Sequence, residues 1–352
     1  MRPAVDAPVV QRLKAQGAVV IGKANMYTAA AHGVLSESET GGLVHNPYGL
    51  SHTTYGSSGG SGAGTAALYS VISLGTDTAG SGMLPASAAN VYSLRATFGK
   101  LVPVDLVVPG NLVQDAVTPF AWNAKDLALA VDAINNGADG RNFLDSSVLN
   151  RNGLRGMKVA VVDEAFFEPL RLITDTVPCP GIAYGSTQLD PESQRQLNGE
   201  NAGMRNETII QLLAKSAVCQ PILRCKPEQI EGFIFLRDAD LLLTLTNYDF
   251  PPLLKDALDS FPFCSFPFVA VSAGGCPAVN VPIGFGEPRN GAPDGLPIGA
   301  MVIGKYDQEE TLVKFAYAYD QNFRKRKFIF FPICTTWLLL VYLGTLTLDI
   351  LA

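Results

Sequence analysis

YGSSGGS at 55–61 and GTDTAGS at 75–81 are the two segments of this sequence that decide its fold. A helix-capable run of small residues, GAGTAALYS (62–70), and a wholly apolar run, VISLG (71–75), connect them. Glycine and serine alone indicate only tight turns. A short helix and a buried strand between two such loops can bring both loops to one edge of a sheet, where open α/β folds place their sites. The sequence therefore predicts a layered α/β fold with a candidate site at that edge.

The rest of the chain has helix and strand patterns that suit such a fold. Residues 6–17 predict a helix with Asp6 as its cap and Gly17 as its stop. The apolar run AVVIG (18–22) predicts a strand that is buried on both faces. Further strands are predicted at 157–163, 239–246, 275–285 and 298–304, and further helices at 125–135 and 309–321. We assign no element between 178 and 228.

Composition and charge exclude several classes of protein. The chain has 352 residues, of which 47% are hydrophobic and only 16% are charged, so it is not a disordered polyelectrolyte. Its 26 basic and 32 acidic side chains give a net charge of −6. This mildly acidic balance lacks the basic surface that binds nucleic acid, so we expect no nucleic-acid partner. Six cysteines without a CxxC pair are too sparse for a disulfide framework or a zinc ribbon, and we expect no metal site.

The C-terminal residues differ in character from the rest. A basic cluster at 324–327 precedes an apolar run in which Asp349 is the only charged residue. The segment 328–348 is long enough for a bilayer span of about 20 residues, and the preceding cations fit the positive-inside rule. Residues 1–20 do not resemble a signal peptide. We therefore expect a cytoplasmic domain at 1–323 and a tail at 324–352 with a candidate transmembrane helix. The alternatives are a buried terminal helix, a tail that never folds, and a soluble cytoplasmic protein.

The two glycine and serine motifs resemble those of the amidase signature family, in which a GGSSGGS loop is followed by a strand and by GTDxGGS. The resemblance extends to 10–26, 115–134 and 274–320. It implies the amidase signature fold, a central mostly parallel or mixed twisted sheet with helices on both faces. It also implies hydrolysis of a carbon–nitrogen amide bond in a small-molecule substrate, without a cofactor.

The resemblance further implies a role for each motif residue. Ser81 matches the nucleophile that becomes acylated, and Ser57 matches the bridging serine that follows a cis peptide bond. Asp77 matches a residue that supports the nucleophile loop. A serine hydroxyl is a poor nucleophile until a base removes its proton, and the tetrahedral intermediate needs preorganised hydrogen-bond donors. The residues that match these oxyanion-hole donors, through their backbone N–H groups, are Thr78, Ala79 and Gly80.

This sequence also departs from the family pattern. The family's base is a lysine in a context such as VKD, upstream of the helix and strand that open this chain, and Lys23 matches a different lysine. The resemblance therefore implies that 1–323 is an amidase-signature domain without the family's N-terminal part, either a truncated or mis-predicted product or a non-catalytic relative. Tyr55 and Ala79 replace glycines, and Met83 replaces an arginine two positions after the nucleophile. Three interpretations therefore stay open: an active amidase-type hydrolase, a catalytically inactive relative, and an amidotransferase A-type subunit.

Overall fold

The computed structural model describes residues 4–30, 33–101, 114–161, 239–246, 250–257, 271 and 275–323. Its strands are β1 (Glu37–Ser38), β2 (Gly42–Leu43), β3 (Ile72–Asp77), β4 (Tyr92–Arg95), β5 (Ala116–Ala121), β6 (Val159–Val161), β7 (Leu241–Leu245), β8 (Ala278–Phe285) and β9 (Pro297–Gly304). Seven of them form a central sheet in the order β3-β5-β4-β8-β9-β7-β6. The strand pairs within it are antiparallel except for the parallel pair β6 and β7, so the sheet is mixed. A separate antiparallel ribbon joins β1 and β2.

Helices cover both faces of the large sheet. They are α1 (Pro8–Ala15), α2 (Gly59–Ala66), α3 (Met83–Ala88), α4 (Ala124–Asn135) and α5 (Glu309–Phe323), and two 3-10 turns lie at Thr28–Ala30 and Leu254–Asp256. Side chains alternate between the two faces along a strand, so neighbouring residues pack against opposite layers. In β9, Ala300 and Val302 join an apolar cluster with residues of α1, α4 and α5. Met301 and Ile303 join a second cluster that includes residues of α3.

The prediction of a buried strand at 18–22 is wrong. Val19, Val20 and Ile21 are 83%, 56% and 70% exposed, and the run pairs with no strand among the described residues. An apolar, β-branched composition favours a strand, but a strand forms only where a neighbour accepts and donates its backbone hydrogen bonds. Composition therefore indicated the propensity of this run without indicating a partner.

The predicted cap of the first helix is also wrong. Helix α1 begins after Ala7, and no side chain of the described residues caps it. The Asp6 carboxylate instead pairs with Lys14 Nζ at 2.7 Å. Gly17 follows the helix with a φ of +89°, as the predicted glycine stop requires.

The other predicted elements that fall on described residues are confirmed, with ends shifted by a few residues. The unassigned segment 178–228 and the tail 324–352, with its candidate helix at 328–348, lie outside the described residues. Within the described ranges, no helix combines the length and the apolar character needed to cross a membrane.

Candidate active site

Ser81 lies in the tight turn that connects β3 with α3. Its side chain is largely buried, and the turn packs closely against β5. A Cβ atom at Gly82 would approach Thr118 Cγ2 to 2.6 Å, so only glycine fits at that position. Gly80 has a φ of +107°, a conformation that glycine adopts at little cost. The glycines on both sides of Ser81 therefore shape the turn that presents it.

The structure brings the two motif loops together, as the sequence predicted. The Ser58 N–H donates to the Ser81 carbonyl oxygen over 3.2 Å. Ser58 Oγ donates to the Thr76 carbonyl and accepts from the Thr76 N–H, each at 3.1 Å. The serine loop is thus hydrogen-bonded both to the strand that precedes Ser81 and to Ser81 itself.

Ser57 lies in this loop with its side chain fully buried. The Gly56–Ser57 peptide bond is cis. The Ser57 carbonyl accepts from the Tyr27 N–H at 3.0 Å and from Ser36 Oγ at 2.9 Å. Its own hydroxyl has no hydrogen-bond partner in the part of the chain that the structure describes. A buried hydroxyl is normally hydrogen-bonded, because leaving one unsatisfied costs about 1–3 kcal/mol. The backbone of Ser57 is therefore anchored while its hydroxyl is not.

Asp77 holds the turn around Ser81, residues 78–83, from inside. Its buried carboxylate accepts from the N–H groups of Gly80 (3.0 Å), Gly82 (2.8 Å) and Met83 (3.1 Å). Such charge-assisted bonds are stronger than those between neutral groups. The resemblance implies that the Gly80 N–H is an oxyanion donor, and it is one of these three groups. In this structure the nearby carboxylate takes that N–H group.

Comparison with known proteins supports the resemblance. Residues 1–173, just under half of the chain, match the family model described as Amidase. The chain is similar to the amidase family over this stretch. This similarity and the solved structures that resemble the chain support an amide-hydrolysing enzyme, and its fold is the amidase signature fold.

Three known proteins illustrate what this chain is similar to. The A-type subunit of the glutamyl-tRNA(Gln) amidotransferase of Archaeoglobus fulgidus is 28% identical over 380 residues, which cover 92% of this chain and 80% of that protein. The native peptide amidase of Stenotrophomonas maltophilia superposes with a TM-score of 0.66 at 26% identity, covering 93% of this chain and 78% of that one. The corresponding A-type amidotransferase polypeptide of Thermotoga maritima superposes with a TM-score of 0.65 at 25% identity, covering 93% and 79%.

Arg95 is a charged neighbour of the site that the sequence analysis missed. It is fully buried in β4, and its Nε lies 3.3 Å from Asp77 Oδ1. Nη1 donates to the Cys276 carbonyl at 3.1 Å, and Nη2 donates to the Gln114 carbonyl. Burial lowers the pKa of Arg95, and the negative charges of Asp77 and Asp115 oppose that shift. A single arginine within the otherwise uncharged strand YSLR was the sequence signal that could have identified it.

Two departures of this chain from the family pattern belong to one apolar cluster. Tyr55, in place of a glycine, and Met83, in place of an arginine, are both buried in it together with Leu84 and Cys276. Tyr55 has a φ of +54°, in the left-handed region that disfavours residues with a Cβ atom. Arg95 thus provides the positive charge beside Asp77, while position 83 is apolar.

Ser36 is a second residue that the sequence analysis missed. Its Oγ lies 3.1 Å from the Tyr55 carbonyl and 2.9 Å from the Ser57 carbonyl, and it accepts from the Gly59 N–H at 2.9 Å. One hydroxyl therefore connects three backbone groups of the serine loop. Ser36 belongs to neither motif and precedes the loop by some twenty residues, so no local pattern marks it.

Proposed function

We propose that this chain hydrolyses the amide bond of a small-molecule substrate through an acyl-enzyme on Ser81, with Ser57 as the proton bridge. The observation that carries the proposal is the Ser57 hydroxyl, which is buried without a partner among the described residues. It belongs to the loop whose next residue, Ser58, is hydrogen-bonded to the Ser81 backbone. A hydroxyl with no structural bond to maintain can both accept and donate a proton during the reaction.

In the proposed reaction, Ser81 Oγ attacks the carbonyl carbon of the amide, and its proton passes towards Ser57 Oγ. The carbonyl oxygen becomes an oxyanion, which we assign to the backbone N–H groups of Thr78 and Ala79. One such donor contributes about 3 kcal/mol of transition-state stabilisation. The intermediate then collapses, the C–N bond breaks, and the amine leaves with the proton returned by Ser57. Water hydrolyses the Ser81 ester and releases the acid.

When Ser57 receives the Ser81 proton it must pass its own proton to a base, and this base returns the proton through Ser57 to the leaving amine. Among the described residues no group hydrogen-bonds to Ser57 Oγ, so the proposal assigns no residue to this role. The competing interpretation is a catalytically inactive relative that keeps the loops and has no base. Reactivity of Ser81 separates the two interpretations, because a serine without activation reacts slowly with electrophiles.

The test is labelling of the full chain with a fluorophosphonate probe, followed by mass spectrometry of the modified peptide. We expect labelling at Ser81, no labelling of Ser81→Ala, and labelling of Ser57→Ala that is slower by at least tenfold. Ser70→Ala is the matched control, because Ser70 bonds Ser73 near the start of β3, at the other end of the strand from Ser81. Folded wild-type chain that takes no label would overturn the hydrolase proposal and favour the inactive relative.

A second candidate function is that of an amidotransferase A-type subunit. Similarity to the A-type amidotransferase polypeptides of Archaeoglobus fulgidus and Thermotoga maritima favours it. The net charge of −6 disfavours direct contact with RNA. Ammonia release from glutamine, compared with release from a set of small aliphatic and aromatic amides, separates the candidates. A preference for glutamine above tenfold in kcat/KM would favour the amidotransferase role.

A further inference from the structure

We infer that Asp115 is a positioning residue for the nucleophile turn and acts through the hydroxyl of Thr78. This inference rests on the proposed function, because Thr78 is one of the two proposed oxyanion donors. Thr78 Oγ1 donates to Asp115 Oδ1 at 2.6 Å. That length is typical of a charge-assisted bond between a hydroxyl and a carboxylate. Asp115 is 4% exposed, so water competes little for its carboxylate.

The position of this bond in the sheet explains what it does. Strands β3 and β5 are antiparallel, and their register runs from Ile72 opposite Ala121 to Asp77 opposite Ala116. Positions 78 and 115 are therefore the next opposed pair, one step beyond the end of the ladder. Side chains on opposed residues of an antiparallel pair lie close enough to interact. The Thr78–Asp115 bond thus continues the strand pairing by one residue, at the point where the nucleophile turn begins.

The other end of the turn is fixed by a different carboxylate. Asp77 accepts from the N–H groups of Gly80, Gly82 and Met83, which lie on both sides of Ser81. Its hydrogen bonds skip Thr78, whose own side chain turns to Asp115 instead. The turn is therefore held at its start by Asp115 and at its end by Asp77.

Arg95 joins these two anchoring points. Its Nε lies 3.3 Å from Asp77 Oδ1, and its Nη2 donates to the carbonyl of Gln114, the residue before Asp115. The negative charges of both Asp77 and Asp115 stabilise the buried cation. One fully buried guanidinium consequently aligns the segments that carry the two carboxylates.

A positioning role makes a specific kinetic prediction. The Thr78 peptide N–H stabilises charge only if it points to where the oxyanion forms, and small misplacements of such groups cost on the order of a hundredfold in rate. Loss of the side-chain bond should lower the rate of the chemical step and leave substrate binding almost unchanged. A merely structural role would lower stability and leave the rate per folded molecule unchanged.

The experiment compares Thr78→Val, which removes the hydroxyl at nearly constant shape, with Thr78→Ser, which keeps it. Asp115→Ala and Asp115→Asn form the second pair, and the latter keeps an acceptor oxygen without its charge. Thr65→Val is the control, because Thr65 has a buried hydroxyl that bonds Ser61 and Ser73 on α2 and β3, outside the turn. The readouts are the labelling rate of Ser81 by the fluorophosphonate and the kcat and KM of amide hydrolysis.

We expect Thr78→Val and Asp115→Ala to slow labelling and kcat by about tenfold to a hundredfold with KM within about twofold. The labelling rate and kcat of Thr78→Ser should stay within about threefold of wild type. Those of Asp115→Asn should lie between the values of wild type and of Asp115→Ala. The double variant Thr78→Val with Asp115→Ala should be no slower than the slower single variant, because both remove the same bond. Three results would overturn the inference. Thr78→Val and Thr78→Ser could lower the labelling rate and kcat equally, or Thr78→Val could lower them no more than Thr65→Val does. The rate losses of the two single variants could also multiply in the double variant.

The failure of the proposed function is distinguishable from the failure of this inference. If the wild-type chain takes no label, the proposed function fails, and amide hydrogen exchange over residues 78–83 becomes the deciding readout. Faster exchange in Thr78→Val and Asp115→Ala than in Thr78→Ser would support the inference that this bond positions the turn. Equal exchange in all three variants would overturn it. If the wild-type chain is labelled but the variants match it, only the positioning inference fails.

Discussion

The Asp77 carboxylate and the Arg95 guanidinium form an ion pair in which both side chains are 1% exposed. Asp77 also accepts three backbone N–H groups of the turn around Ser81, so this pair connects the turn with strand β4. Removing one partner of a buried pair leaves an uncompensated charge, at a cost of about 3–5 kcal/mol.

We therefore predict that Arg95→Met lowers the free energy of unfolding by about 3–5 kcal/mol. Arg95→Lys should cost less, because it keeps the charge but loses the fork that reaches Cys276 and Gln114. Denaturant titration followed by circular dichroism measures both values. Adding Asp77→Asn to Arg95→Met should cost less than the sum of the two single changes. Strict additivity would contradict the pairing.

Tyr55 provides a test of backbone conformation. Its φ of +54° lies where residues with a Cβ atom are disfavoured by about 1–2 kcal/mol relative to glycine. Tyr55→Ala and Tyr55→Gly both lose the same buried ring. The difference between their free energies of unfolding therefore measures the cost of the backbone conformation. We predict that the glycine variant unfolds at higher denaturant concentration. Leu84, inside α3, is the control at which alanine should be the more stable of the two replacements by about 1 kcal/mol.

Two glycines of α2 should respond oppositely to alanine. A Cβ atom at Gly59 would lie against Thr54 Oγ1 and 2.5 Å from Ser36 Oγ, whereas one at Gly64 would meet nothing within 4 Å. We predict that Gly59→Ala destabilises the chain by about 1–3 kcal/mol and slows labelling of Ser81, since it disturbs the serine loop. Gly64→Ala should stabilise it by about 0.5–1 kcal/mol. Thermal melts and the labelling assay measure both. A neutral Gly59→Ala variant would contradict the close approach.

The ionisation of Asp139 should make the stability of the chain depend on pH. Partial burial raises the pKa of Asp139, but hydrogen bonds from Arg141 and Asn135 outweigh it and lower that pKa from 3.8 to about 2. A carboxyl whose pKa is lowered on folding stabilises the fold above its unfolded pKa, and this contribution is lost as the pH falls. We predict that the difference in melting temperature between wild type and Asp139→Asn shrinks between about pH 4 and pH 2. A constant difference across this window would contradict the prediction.

The sequence predicted the elements of this fold well wherever a hydrophobic period or a glycine stop was present. It failed at 18–22, because β-branched residues report a preference for extended backbone and carry no information on a partner strand. The two motifs could be recognised because each is a local segment, and the resemblance implies the roles of their residues. Ser36, Arg95 and Asp115 escaped attention because each contacts the loops from a distant part of the sequence. Such contacts depend on strand register and packing, which no single segment encodes.

The serine loop (55–61) and α2 have a consequence for the edge of the sheet as well as for the candidate site. Strand β3 lies at the end of the described sheet order, and an edge strand with free backbone groups invites pairing with another molecule. Here Ser58 Oγ exchanges two hydrogen bonds with the backbone of Thr76, much as a residue of a neighbouring strand would. Ser61 Oγ, one helical turn later, donates to the Leu74 carbonyl at 2.7 Å. The hydroxyls of this glycine-rich segment thus satisfy backbone groups of β3 that an edge strand would otherwise offer to another molecule.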